Sequence, residues 1–158
     1  MNNLKPKNSI PPIKNSIILR QYAGLEYVTV TNIPVIRIGD SAPPSGIRTS
    51  SKINEAVAKS ILEEGYAIHG KELRFFRIDL LGLSQEKFAR ELDVSSITIL
   101  NWEKDSKRRL HLINELAVRA LLAEKLNLNI KLNLLKTTMI PGEIEISAKN
   151  LILARHLY

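Results

Sequence analysis

Residues 82–104 read GLSQEKFARELDVSSITILNWEK, and the way this stretch folds decides the organisation of the chain around it. Two short helical patterns meet there across a few residues. Ser84 is placed to cap the first, whose inward face is Phe88, Ala89 and Leu92; Ser95 is placed to cap the second, whose inward face is Ile99 and Trp102. Helices joined this tightly must cross steeply. Ala89 supplies the small side chain that lets the second helix approach the first. Asp93 stands where the turn calls for a positive φ, which Asp tolerates better than most residues. The spacing of Gln85, Ala89, Asp93, Val94, Ile99 and Trp102 is that of a helix-turn-helix.

Working outward, Leu73, Phe76 and Leu80 give a preceding helix, and Ile113, Leu116, Ala117, Ala120 and Leu121 a closing one. Further upstream, Ile53, Ala56, Val57, Ser60 and Ile61 fall at helical spacing between a cap at Ser50 or Ser51 and a stop at Gly65. From Leu25 to Ile38 the composition turns β-branched, which predicts one or two short strands, with Pro34 at an edge, a bulge or a junction. Gly39–Gly46 is a turn cluster, and residues 1–16 lack periodicity and read as a flexible arm. Downstream the period changes to two: Leu126, Leu128, Ile130, Leu132 and Leu134 alternate with polar residues and predict a half-buried strand. Ile144-Glu145-Ile146, after the Pro141-Gly142 turn signal, completes a C-terminal hairpin. The edge that the first of these strands exposes calls for pairing, with a second copy of the chain or with the N-terminal strands.

Composition sets the outer limits. A length of 158 residues suits one domain or one domain with an appended module, and 44% hydrophobic with 25% charged residues is a globular balance. No run approaches the ~20 apolar residues of a membrane span, and the N-terminus lacks a secretory pattern, so a cytoplasmic protein without membrane contact is expected. With 0 cysteines, disulfides, Cys-ligated zinc and thiol chemistry are excluded. The net charge of +7 favours a polyanionic partner. The basic excess is spread along the chain, but Lys104, Lys107, Arg108 and Arg109 concentrate it directly after the second helix of the pair.

Leu83-Ser84-Gln85, Phe88-Ala89, Val94-Ser95, Thr98-Ile99 and Trp102-Glu103-Lys104 occur in the order of the phage-repressor-like (Cro/Xre) helix-turn-helix family, which the stretch Gly70–Leu126 resembles. The wider layout, with Tyr22–Gly24, the valine-rich run to Ile36, the helix around Ile53–Glu63 and GKELRFFR from Gly70, is similar to regulators and antitoxins of the MqsA (YgiT) type. Those proteins commonly carry paired CxxC zinc ligands, and this chain has none. The resemblance implies an α+β fold: a five-helix-type DNA-binding core at residues 66–126, a small β-containing segment at 17–65 with one helix, and a C-terminal β element at 127–158. It also implies double-stranded DNA as the partner; a homodimer, which would pair the exposed strand edge, would suit two half-sites, and the alternative reading is an antitoxin that sequesters a toxin protein through residues 17–65 and autoregulates its operon.

A helix fits the major groove and offers its first turns to base edges, while unsatisfied N–H groups at helix starts bind phosphate oxygens. Ser84, Gln85 and Ser95 are accordingly placed for the backbone. With Ile99 and Trp102 inward, the resemblance makes Ser96, Ile97, Leu100 and Asn101 the groove-facing set, with Ser96 and Asn101 as base readers. Family members usually offer Arg, Gln or Asn there, whereas Ile97 and Leu100 can touch only thymine methyls or sugars; alternatively they pack against protein, and DNA contact has been lost. Lys104, Lys107, Arg108 and Arg109 follow where a phosphate backbone would pass, or form a solvated loop. Arg74 and Arg77 are expected in solvent or paired with Glu72 and Asp79.

His69, His111 and His156 are too scattered for a helical metal site, so no metal or other cofactor is expected. The paired carboxylates at Glu63-Glu64 and at Glu143 and Glu145 accompany no nucleophile, and no phosphate loop or hydrolase motif is present, so no enzyme is expected either.

Overall fold

The computed structural model describes residues 16–34, 47–130 and 142–153. The elements are β1 (Ser16–Arg20), β2 (Val28–Pro34), α1 (Ile47–Glu63), α2 (Gly70–Phe75, passing into a π-helical turn at Phe76–Leu80), α3 (Gln85–Glu91), α4 (Ser96–Lys104), α5 (Leu112–Lys125), β3 (Ile144–Ser147) and α6 (Ala148–Leu153). The fold is α+β, with α1–α5 as its five-helix portion and strands near both ends of the described chain.

β2 is the middle strand, antiparallel to β1 and parallel to β3, with Val28 opposite Ile144 and Val30 opposite Ile146. Its inward residues are Val28, Val30 and then Ile33 rather than residue 32. The change of phase has a local cause. Ile17 pairs with Ile33 and Leu19 with Val30, so β2 carries one extra residue, and Asn32 absorbs it in the left-handed region at φ 56. Its side-chain amide then donates to Ser147 Oγ at 3.1 Å, tying the bulge to the end of β3. Parallel neighbours need a long crossover. Here the crossover contains all of α1–α5, so the sheet joins the two flanks of the helical core.

Leu25, Val28 and Val30 from the sheet side, Val57, Ile61 and Leu62 from α1, Leu73, Phe75 and Phe76 from α2, Phe88 and Ile99 from the helix pair, and Val118 and Leu122 from α5 form one buried cluster. Two buried carboxylates hold its polar seams. Glu72 accepts from the Tyr27 hydroxyl at 2.9 Å and the His69 backbone N–H at 2.9 Å, joining β2's approach to the start of α2. Burial, followed by the Glu72 charge, raises the Tyr27 hydroxyl pKa above its usual range and keeps it a donor. Glu115 accepts from Arg109 Nε at 3.0 Å and from Arg119 Nε at 3.1 Å, while Arg119 also donates to the carbonyls of Leu62 and Tyr66. Leu62 belongs to the last turn of α1, so one of the carbonyls its terminus leaves open gains a partner, and Tyr66 lies in the segment that follows.

The structure corrects several expectations. α1 begins at Ile47, so Ser50 and Ser51 lie inside it and do not cap it. Gly65 does end it, at φ 73 with Tyr66 N–H donating to the Ile61 carbonyl. Ser16–Arg20, not anticipated as extended, is β1. The inward face of α5 is Glu115, Val118, Arg119, Leu121 and Leu122, whereas Ile113 is 71% exposed and Ala117 and Ala120 face out. Two mutually satisfied charges occupy the core side, so the apolar stripe alone gave the wrong rotation. Leu126 caps α5, and Asn127 at φ 51 ends it, with Leu128 N–H donating to the Ala123 carbonyl. No strand therefore starts at Leu126; Leu132 and Leu134 lie outside the described residues. β3 pairs with β2; residues 131–141, which include part of the other arm of the anticipated hairpin, lie outside the described residues. The arm at residues 1–15, Val35–Ile38 and the Gly39–Gly46 turn also fall outside the described residues.

Glu115→Ala leaves Arg119 buried without its carboxylate, so urea unfolding is expected to show a loss of about 3–5 kcal/mol. The double change Glu115→Leu with Arg119→Met is expected to cost less than either single truncation.

Candidate nucleic-acid interface

α3 and α4 start as the sequence indicates. Ser84 Oγ accepts from Lys87 N–H at 3.2 Å and Ser95 Oγ from Thr98 N–H at 3.1 Å. Between them α3 closes with paired hydrogen bonds, Val94 N–H to the Ala89 carbonyl at 3.0 Å and Asp93 N–H to the Arg90 carbonyl at 3.3 Å, around Asp93 at φ 54. This is a Schellman closure with Asp in the position glycine usually fills. Phe88, Ala89 and Ile99 are buried at the crossing, and Leu92, Val94 and Trp102 pack half-buried on the same core.

A buried ion pair locks the orientation of α4. Arg77, in the π-helical turn, donates Nε to Glu103 Oε1 at 2.6 Å and Nη2 to Oε2 at 2.8 Å, and Nη1 to the Leu83 carbonyl at 2.9 Å. Gln85 Nε2 adds a contact to Glu103 Oε2 at 3.0 Å. The pair is 8% and 4% exposed, so Arg77 is neither in solvent nor paired with Glu72 or Asp79. Asp79 stands apart, its carboxyl pKa raised by burial against the opposing pull of Arg74. Beyond α4 the chain is held through backbone: Gly70 N–H donates to the Arg108 carbonyl and Lys71 N–H to the Ser106 carbonyl, both at 3.2 Å.

With one side of α4 fixed, the other is set. Ile97 is 66% and Leu100 49% exposed, and Asn101 and Lys104 are exposed beside them. These four lie at i, i+3, i+4 and i+7, a single outward stripe. Ser96 is half-buried at its start, and Ser84 and Ser95 are exposed. Gln85 is half-buried with its amide engaged by Glu103, so it acts first within the protein. Asn101, Lys104, Lys107 and Arg108 line a shallow depression of about 650 Å³ past the end of α4. Arg109 does not line it; it is half-buried, paired with Glu115, and lines the adjoining depression instead. An adjoining depression of about 390 Å³ brings His111 and Asn114 beside Asn101 and Arg108. Sequence reasoning missed this pair and the Arg77–Glu103 link; Glu103, directly after Trp102 in the motif, was the available signal.

Among the described residues, no three His, Asp or Glu side chains are grouped to hold a metal ion, and no helix is long and apolar enough to cross a membrane. In comparisons with known proteins, no family model, curated protein or solved structure matches the chain.

Gly70 is where the depression's rim meets α2. A Cβ there would stand 2.5 Å from the Asp105 carbonyl oxygen and 2.6 Å from that of Trp102, both backbone atoms. Alanine's helix preference favours the exchange by about 1 kcal/mol. The clash outweighs it: Gly70→Ala is expected to lower stability by about 1–3 kcal/mol and to shift amide resonances of Trp102–Arg108, read by urea unfolding and NMR.

Proposed function

We propose that the chain is a sequence-specific DNA-binding transcriptional regulator of the Cro/Xre helix-turn-helix type, acting in the cytoplasm, which inserts α4 into the major groove. The observation that carries this reading is the division of α4 into a locked face and an open stripe that runs from Ile97 to Lys104 into a cationic loop. A groove-reading helix needs that division, because its base contacts are productive only if its rotation is fixed from behind. Lys104, Lys107 and Arg108 meet phosphates flanking the groove, and the exposed starts of α3 and α4 face the opposite strand's backbone. Two copies bind half-sites about one helical turn, ~34 Å, apart. No catalysis or cofactor is required.

A second reading, an antitoxin that sequesters a toxin through residues 17–65 and controls its own operon, draws on β1. That strand forms one side of the sheet order and leaves Ile18 59% and Leu19 41% exposed. It is compatible with DNA binding by α4.

Fluorescence anisotropy with a duplex over a range of salt tests the main proposal. Log K is expected to fall steeply with log salt, and changing Lys104, Lys107 and Arg108 together to Ala to reduce the slope by up to about 2.7. A salt-independent signal, or no binding at low salt, rules DNA out.

A further inference from the structure

The groove-facing stripe carries an unusual chemistry. Its first two members, Ile97 and Leu100, are aliphatic, and both stand well out from the protein. Asn101 follows on the same face, and the first cation comes only at Lys104, at the helix end.

We infer that α4 selects contiguous A·T pairs through the C5-methyl groups of thymine, with Ile97 and Leu100 as the methyl contacts and Asn101 on a neighbouring adenine. The inference rests on the proposed insertion of α4 into DNA. Within the major groove the thymine methyl is the apolar group that base edges present; guanine offers two acceptors and cytosine an amino donor. Aliphatic side chains against thymine remove apolar surface from water. Against a G·C pair they strip water from hydrogen-bonding groups and return no partner, so the same two residues also reject the wrong pairs. Asn completes the pattern, since its amide matches adenine N6 and N7.

Spacing limits the reading to a short run. At ~1.5 Å rise per residue, Ile97 and Leu100 are about 4.5 Å apart along the helix axis. Base pairs repeat every ~3.4 Å, so the two side chains fall on the same or adjacent pairs. Lys104, a further turn along, is left for the flanking phosphates together with Lys107 and Arg108.

The test is selection followed by methyl deletion. A random duplex pool is passed over the full chain at physiological salt, and the recovered sites are remade with deoxyuridine in place of thymine, one position at a time. That change removes one methyl and keeps base pairing. The expected result is an A·T-rich half-site in which one or two neighbouring positions lose roughly fourfold in affinity per methyl. Ile97→Ala or Leu100→Ala is expected to abolish the loss at its own position; both residues are exposed, and the wild-type series stands without them. A defined site in which every thymine tolerates deoxyuridine, or one built on G·C pairs, overturns the methyl reading and leaves DNA binding intact. Recovery of no duplex at all overturns both together.

Discussion

The orientation of α4 depends on a guanidinium and a carboxylate taken out of water together. Arg77 and Glu103 lie 26 residues apart in sequence and meet through two parallel hydrogen bonds, with the Leu83 carbonyl adding a third partner for Arg77 and the Gln85 amide a third for Glu103. Such a pair adds little net stability, because the cost of desolvation nearly cancels the attraction. Its effect is geometric. The fork of a guanidinium holds a carboxylate in a coplanar, two-bond arrangement, so a roll of α4 about its axis that breaks it leaves two charges buried and unpaired. Ile99 alone would permit such a roll, since apolar contacts have no direction.

The same device recurs behind α5 and at the start of α2. Arg119 spans Glu115, the Leu62 carbonyl in the last turn of α1 and the Tyr66 carbonyl just beyond it, and Glu72 joins Tyr27 to the first turn of α2. Among the described residues no buried side-chain polar atom lacks a partner. The apolar cluster gives the fold its stability, and these directed contacts choose which packing of it is adopted.

That distinction explains what could be read from the residues in advance. The helix-turn-helix was legible down to its caps and the left-handed Asp93, because each device is local: a hydroxyl three residues from the N–H it accepts, a small residue at a crossing, a short polar residue at a turn. The outward positions of α4 followed from the inward ones. Errors came where a long-range contact overrode a local pattern. Leu116, Ala117 and Ala120 mimic a core stripe, but α5 turns Glu115 and Arg119 inward because Arg109 and the end of α1 are there to receive them. Alternation from Leu126 suggested a strand, yet the helix runs on until Asn127 closes it. The partner of Ile144–Ser147 lies more than 100 positions away in β2 and left no trace in local pattern.

That last pairing bears on how the molecule is made. α1–α5 are all synthesised before β3, so the side of β2 that β3 pairs with is covered only once the last strand has emerged. During that interval Val28 and Val30 belong to an incomplete sheet, and the core still lacks Ile144 and Ala148.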